Sequence, residues 1–347
     1  MSLGEGSRPL PSLVADQLAV CAERAPNRGA AGRCRAGAPS VPCVIRELLE
    51  ISDLIVDYDP DTLEARPVRR DDVVARLADN GQRRAARYVA ALPAAGGILD
   101  RAVCEAILLR AHVELQRLSE EFLQADRMRL LLVPLLGALR DMGERPPLRI
   151  VDVGCGLGYI VRALAAHGRL GRDVDLIGCD MNPALVHAAQ RLAEEESLAC
   201  DLRLANAFRL DEPAHVYIST GVVHHFRGPA LDAFFAGQRG ARAFLHSDTQ
   251  PSPLSPLGAW LFHRARMREP LARHDGVVSA RRAHPASTLL AAARAGTGFT
   301  AAPFDEARSF ASVILRPMHA VVGTRPELWE AFSSRLGPLS ARLGAPS

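Results

Sequence analysis

The residues best suited to hold a ligand lie in one glycine-rich segment, Val151-Asp152-Val153-Gly154-Cys155-Gly156-Leu157-Gly158-Tyr159. Glycine at every second position lets a ligand approach the backbone, and the helix predicted to follow would offer free N–H groups. Tyr159 stands where the dinucleotide-binding fingerprint has its third glycine, and no Walker lysine follows the turn. The segment therefore indicates a nucleotide-like ligand that is neither a nicotinamide dinucleotide nor a Walker-bound triphosphate, although such a turn is often only a tight strand-to-helix connection.

The segment resembles motif I of the class I S-adenosylmethionine-dependent methyltransferases, and the resemblance continues to about residue 323. In that family the acidic residue and the glycines hold the methionine part of the cofactor. The resemblance implies that Asp180, at the end of the second predicted strand, binds both ribose hydroxyls, since a carboxylate accepts two hydrogen bonds at once. It also implies that Asn206 binds the exocyclic amine of adenine and that Phe208 flanks the ring. The cofactor contacts expected on this resemblance are Asp152, Gly154, Cys155, Gly156, Gly158, Asp180, Met181, Asn206, Ala207, Phe208, Ser219 and Gly221.

The fourth predicted strand, in residues 216–226, resembles motif IV of small-molecule methyltransferases. It lacks the Asn/Asp-Pro-Pro-Tyr/Phe sequence of enzymes that methylate amide or DNA nitrogens, and it lacks the Pro-Cys or Thr-Cys nucleophile of the cytosine-C5 enzymes. A small-molecule acceptor is therefore favoured. Two alternatives stay open: RNA or protein methylation with the arginines of residues 264–282 as a docking surface, or a regulatory subunit that binds the cofactor without turnover.

Three side chains are candidates for a general base: His225, His246 and Asp248, at the carboxyl ends of the fourth and fifth predicted strands. The sulfonium of the cofactor already activates the methyl group, so we expect alignment of the acceptor and exclusion of water to dominate, with no metal required. Adjacent His224 and His225 should point in different directions, which leaves one of them structural. Cys155 is expected to fill a gap beside the backbone and not to act as a nucleophile.

The elements that must position these residues alternate between strand and helix from residue 148 onward. This alternation predicts an α/β, Rossmann-like, doubly wound and mostly parallel seven-stranded sheet. The final two strands are expected to pair as a hairpin on the sheet edge. The predicted strands are residues 148–153, 174–179, 201–205, 215–219, 241–247, 300–305 and 311–323, and predicted helices include Pro183 to Glu195 and Pro229 to Gly237.

Composition divides the chain into three parts. Residues 1–43 are rich in proline, glycine and arginine and predict a flexible segment, whereas apolar residues at helical spacing predict a helical domain over 44–145. Residues 146–347 form the expected methyltransferase domain. We expect the N-terminal helices, with residues 252–298, to cover the acceptor, or alternatively to mediate a homodimer.

Charge and apolar patterning limit the partners and the location. The net charge of +3 gives no reason to expect nucleic acid. No apolar run approaches the roughly 20 residues that a bilayer requires, and no secretory signal is recognised, so we expect a cytoplasmic protein without a membrane partner. The seven cysteines form no CxxC pair and predict reduced thiols.

Overall fold

A computed structural model describes residues 47–210, 213–305 and 318–346 of the 347-residue chain. The flexible segment expected over residues 1–43 lies outside the described residues, as does most of the predicted strand at 311–323. Within the described ranges, no helix combines the length and apolarity that a bilayer crossing requires.

A seven-stranded sheet forms the centre of the fold, with strand order β10-β11-β9-β8-β5-β6-β7. Five strands run parallel, and β11 pairs antiparallel with both β9 and β10, which confirms the predicted mostly parallel sheet with an edge hairpin. The seven strands are β5 (Leu148–Val153), β6 (Val174–Asp180), β7 (Asp201–Leu204), β8 (Val216–Thr220), β9 (Ala243–Thr249), β10 (Thr300–Phe304) and β11 (Met318–Thr324). Two short hairpins pair β1 (Asp57–Tyr58) with β2 (Ala65–Arg66) and β3 (Ala94–Ala95) with β4 (Ile98–Leu99).

Strand β5 fixes where a ligand can bind. Its sequence, LRIVDV, is buried except at Arg149, as expected for a central strand covered by helices on both faces. The chain runs from β5 to β6 on one side and later returns to β8 on the other, so the strand order reverses at β5. In open parallel sheets, the crevice at the carboxyl ends beside such a reversal is the usual ligand site.

Helices cover both faces of the sheet and extend beyond it. Helix α4 (Gln124–Asp141) packs Leu131, Leu132 and Leu135 into the core that also contains residues of β5, β8 and β9, so it belongs structurally with the sheet. The helices are α1 (Arg70–Asp79), α2 (Arg83–Ala90), α3 (Arg101–Glu121), α4 (Gln124–Asp141), α5 (Tyr159–His167), α6 (Pro183–Glu195), α7 (Pro229–Ala236), α8 (Ser255–Arg266), α9 (Pro270–Arg282), α10 (Ala286–Thr297) and α11 (Pro326–Leu336).

A second apolar core joins two distant parts of the chain. Residues between Leu49 and Ala111 pack against Met267, Leu271 and Ala272, which lie at the start of α9 and just before it. We call residues 47–121 together with 255–282 the cap. The cap is therefore one packed unit, assembled from the N-terminal region and from an insertion that follows β9.

Polar contacts fasten the cap at defined points. The buried carboxylate of Asp275 on α9 accepts hydrogen bonds from the backbone N–H of Ile51, at 2.8 Å, and of Ser52, at 2.9 Å. On the other side, Asn206 Nδ2 donates to the carbonyl of Pro60 at 2.8 Å. The loop around residues 50–60 is thus held between α9 and the end of β7.

Candidate active site

The glycine-rich segment forms the turn between β5 and α5, and its three glycines adopt positive φ angles of +71°, +55° and +68° at Gly154, Gly156 and Gly158. Residues with a side chain rarely adopt this conformation. A Cβ would also collide at each position, lying 2.8 Å from Val222 at Gly154 and 2.9 Å from His112 at Gly156. Both the backbone conformation and the side chains packed around the turn therefore require glycine.

Asp180, at the end of β6, is held by the turn itself. One carboxylate oxygen accepts from the Gly156 N–H at 2.9 Å and the other from the Asn182 N–H at 2.9 Å. Each oxygen keeps lone pairs for a further donor, because a carboxylate offers about four acceptor sites. The Asp180 carboxylate, which is predicted to bind the ribose, is thus fixed in orientation before any ligand binds.

Asp152 is a buried carboxyl group that lacks a partner. Its side chain is 2 % exposed, and Oδ1 has no hydrogen-bond partner in the described part of the chain. Burial, with a smaller contribution from Asp180, raises the pKa of Asp152 to about 8. A buried acceptor of this kind suits a cationic donor, and S-adenosylmethionine carries an ammonium and a sulfonium, so the residues around the turn fit this cofactor.

The residues expected at the adenine ring have structural contacts of their own. Asn206 Oδ1 accepts from the Phe208 N–H at 2.9 Å, while its amide nitrogen binds Pro60. Phe208 packs edge-on against Phe226, with ring centroids 4.9 Å apart. Asn206 therefore fastens the cap to the sheet, and its recognition of adenine stays a prediction.

One cavity of about 530 Å³ runs between the turn and the cap. That volume lies within the usual range for small-molecule sites. Gly154, Asp180 and Asn206 line it from the sheet side. Its apolar lining includes Leu49, Leu54, Leu108, Leu115, Leu271, Phe208 and Phe226. The cavity also exposes a polar cluster, comprising Glu50, Asp53, His224, His225 and Arg282.

His246 and Ser219, two of the predicted site residues, do not line this cavity. His246 is 1 % exposed and uses both ring nitrogens, with Nδ1 2.8 Å from Ser219 Oγ and Nε2 2.9 Å from Gln238 Oε1. Burial lowers the pKa of His246 to about 3, so the ring is neutral. It also packs among Phe234, Phe235 and Phe244. This placement corrects the expectation that His246 serves as a base: it is a core histidine that positions the end of β8.

Asp248 acts on the cavity through His224. Its carboxylate accepts from the His224 backbone N–H at 3.0 Å and from the Thr249 N–H at 2.6 Å, and it contacts His224 Nδ1 at 2.8 Å. Burial opposes ionisation, but His224 and the two backbone donors lower the pKa of Asp248 to about 2. Asp248 is therefore an ionised group that orients the imidazole, and His224 presents Nε2 toward Glu50 at 3.6 Å.

His225 takes part in an ion-pair cluster. Its Nδ1 lies 3.0 Å from Asp53 Oδ1 and 3.7 Å from Glu50 Oε2. Burial alone would lower its pKa, but the Asp53 and Glu50 carboxylates outweigh burial and raise the pKa of His225 to about 10. Arg282 binds Asp53 at 3.0 Å and donates to the backbone carbonyls of both histidines. His225 is thus charged at neutral pH and donates a hydrogen bond; it cannot accept a proton without first losing one.

Comparison with known proteins identifies the sheet region. The family described as "Methyltransferase domain" matches residues 150–240, which include the glycine-rich turn, Asp180, Asn206 and the His224-His225 pair. This is a class I S-adenosylmethionine-dependent methyltransferase domain. S-adenosylmethionine is accordingly the cofactor of the domain, as the sequence motifs predict.

Relatives of the methyltransferase domain share only part of the chain. Cyclopropane mycolic acid synthase 1 of Mycobacterium tuberculosis is 32 % identical over 102 residues, which cover 28 % of this chain and 34 % of that protein. Cyclopropane mycolic acid synthase 2 of Mycobacterium leprae is 32 % identical over 103 residues, covering 28 % and 32 %. The matching stretch thus spans about a third of the length of these relatives.

Solved structures with related domains are more distant in sequence. A SAM-dependent methyltransferase from Aquifex aeolicus superposes with a TM-score of 0.38 at 13 % identity, covering 58 % of this chain and 96 % of that one. The plantazolicin methyltransferase BpumL in complex with SAH gives a TM-score of 0.41 at 12 % identity, covering 64 % and 96 %.

Part of the site escapes sequence reasoning. The cap supplies Glu50, Asp53 and, from α9, Arg282, none of which belongs to a motif of the methyltransferase domain. The paired histidines were a usable signal, since both line the cavity and not only His225. No local pattern marks Glu50, because its partners lie more than a hundred residues away along the chain.

Proposed function

We propose that this protein transfers a methyl group from S-adenosylmethionine to a small-molecule acceptor. The observation that carries the proposal is that Gly154 of the cofactor-binding turn and residues of the cap line the same cavity. Its largely apolar lining around a compact polar cluster suits a mostly apolar molecule with one polar group. The relatives named cyclopropane mycolic acid synthases are consistent with an acceptor of this class.

The residues of the chain have separable tasks in this reaction. When bound, the cofactor supplies an activated methyl group on its sulfonium. Asp180 and the turn hold the cofactor, while the apolar cap residues exclude water and align the acceptor. Charged His225 can donate a hydrogen bond to an anionic or carbonyl oxygen of the acceptor. His224 offers Nε2 as the candidate base, with Asp248 fixing its ring.

Methyl transfer from radiolabelled S-adenosylmethionine into fractions of a cell extract tests this proposal. We expect the label in the small-molecule fraction, and less of it with the Asp180→Ala variant at subsaturating S-adenosylmethionine. Label in RNA or protein would support a macromolecular acceptor that docks on the arginines of α8 and α9. Absence of label, despite cofactor binding, would support a regulatory subunit.

Loss of the Asp180 carboxylate should weaken cofactor binding. We expect Asp180→Ala to weaken the free energy of S-adenosylmethionine binding by about 1 to 3 kcal/mol, the scale of a lost hydrogen-bonding partner of a charged group. Asp175→Ala is the matched control, because Asp175 lies on the same strand with its side chain half exposed. Calorimetry that finds equal affinity in the two variants would rule out the ribose assignment.

We expect the hydrogen bonds that hold the cap in place to affect turnover of the acceptor and not the affinity for the cofactor. Asp275→Ala removes the acceptor of two backbone hydrogen bonds at Ile51 and Ser52, so we expect the loop that carries Glu50 and Asp53 to loosen. Turnover should fall at least tenfold, while the Kd for S-adenosylmethionine changes less than twofold. Unchanged turnover with the acceptor found above would show that the cap only shields the sheet.

The predicted homodimer through the N-terminal helices stays a separate prediction. Sedimentation of the full chain at micromolar concentration tests it directly. A single species with the mass of 37.4 kDa would contradict it.

A further inference from the structure

The polar cluster in the cavity has the composition of a metal site. One ligand atom each from Glu50, His224 and His225 lies within 4.8 Å of the other two. Imidazole nitrogen with carboxylate oxygen is the donor set of zinc and of other divalent first-row transition metals. We propose that Glu50, His224 and His225 bind such an ion.

The distances between the donor atoms match this assignment. Four ligands at about 2.1 Å in a tetrahedron lie about 3.4 Å from one another. His224 Nε2 lies 3.6 Å from Glu50 Oε1, and His225 Nδ1 lies 3.7 Å from Glu50 Oε2. Both distances are within about 0.3 Å of the tetrahedral value, with Glu50 facing His224 through Oε1 and His225 through Oε2.

The surroundings of His224 prepare it as a ligand. A metal-binding histidine usually donates its other ring N–H to a carboxylate, which fixes the tautomer and the ring orientation. His224 has this arrangement, because Nδ1 contacts Asp248 Oδ1 at 2.8 Å and Nε2 faces Glu50. Glu50 is likewise supported, since Ser279 Oγ donates to its Oε1 at 3.0 Å.

The charge of the cluster also favours a divalent cation. Glu50, Asp53 and Asp248 contribute three carboxylates, and the guanidinium of Arg282 pairs with the first two, at 3.6 and 3.0 Å. With His225 protonated and the three carboxylates ionised, the ion-paired groups of the cluster carry one excess negative charge, and release of the His225 proton on metal binding leaves two. A divalent ion balances them in a cavity where Glu50 and His224 are buried.

This inference goes beyond methyl transfer and does not depend on it. The ion would lie in the same cavity as Gly154 and Asp180 and would offer a coordination site to an oxygen of the acceptor, a consequence that does rest on the proposed function. The expectation of no metal came from the chemistry of the sulfonium, which does not exclude a metal that binds the acceptor.

Metal titration of the chelator-treated full chain, without cofactor or acceptor, tests the site. We expect one equivalent of Zn²⁺ to bind with submicromolar affinity, and Co²⁺ to give the visible absorption of a low-coordinate site. Asp248→Asn should weaken Zn²⁺ binding about 10- to 100-fold, the usual effect of losing an outer partner. Glu50→Gln should weaken it at least as much. His167→Gln, which removes an exposed imidazole on α5, should leave the affinity unchanged.

Circular dichroism establishes that each variant is folded, and His225→Gln replaces Glu50→Gln if that variant is not. Equal Zn²⁺ affinity in the wild type and the folded ligand variant overturns the proposal, as does a Co²⁺ spectrum identical to that of the aqueous ion. In either case the cluster is an ion-pair network that fastens the cap. Loss of metal binding without loss of methyl transfer would separate this site from the proposed function.

Discussion

Gly156→Val should abolish S-adenosylmethionine binding, with a Kd raised at least 100-fold. The backbone at this position has a φ of +55°, which a β-branched residue strongly resists, and a Cβ would lie 2.9 Å from the His112 ring. The backbone would also shift away from Asp180, which accepts the Gly156 N–H. Isothermal titration with S-adenosylmethionine measures the effect.

Gly168→Val is the matched control for this substitution. Gly168 has nearly the same conformation, with a φ of +61° at the end of α5, but a Cβ there meets nothing within 4 Å. Both variants should lose stability through backbone strain, whereas only Gly156→Val should lose the cofactor. A folded Gly156→Val protein with normal affinity would remove the turn from the cofactor site.

Asp152→Asn should stabilise the cofactor-free protein above neutral pH. The native pKa of about 8 lies above the ordinary value of 3.8, so the native state holds a proton that the unfolded state loses between these values. The contribution of Asp152 to the free energy of unfolding is therefore fully present below about pH 4 and is lost as the pH rises to 8. One pKa unit corresponds to about 1.4 kcal/mol, so the loss is on the order of 3 to 5 kcal/mol by pH 8.

Urea unfolding of both proteins at pH 5 and pH 8 measures this prediction. The free energy of unfolding of the wild type should fall between the two pH values by more than that of Asp152→Asn. The same variant should bind S-adenosylmethionine more weakly, because an amide cannot pair with a cationic group as a carboxylate does. An identical pH dependence in both proteins would show that Asp152 is ionised in the native state.

Local sequence patterns predicted the described strands of the parallel part of the sheet and the helices that follow them. Asn182 caps α6 by accepting from the N–H groups of Ala184 and Leu185, and Pro183 follows at the first position, so the helix begins where the sequence predicts. Buried strands such as β5 were equally clear, since an apolar run bounded by Pro147 and Gly154 has few other solutions. The short hairpins at β1–β2 and β3–β4 were missed because two-residue strands carry no measurable period.

The residues of the candidate site likewise include some that local sequence predicts and some that it does not. Asp180 and the glycine-rich turn are close in sequence and form a recognisable pattern. The pairing of His225 with Asp53 spans 172 residues and depends on how the cap packs, which no local pattern records. The expected role of His246 as a base was wrong for a related reason. A residue at the end of a strand can face either the cavity or the core, and the ring of His246 packs in the core against aromatic residues of α7 and β9.

The hydrogen bonds of Asp275 impose an order on folding. The pair formed with Ile51 closes 224 residues of chain, whereas the bond between Gly156 and Asp180 closes 24. Contacts between distant residues form late, because the entropy of loop closure is lost before the contact contributes. During synthesis, the contact between Gly156 and Asp180 can therefore form before α9 is available to bind residues 51 and 52. The wall of the cavity that residues 47–60 provide is therefore completed only after α9 has been synthesised, later than the contact between Gly156 and Asp180.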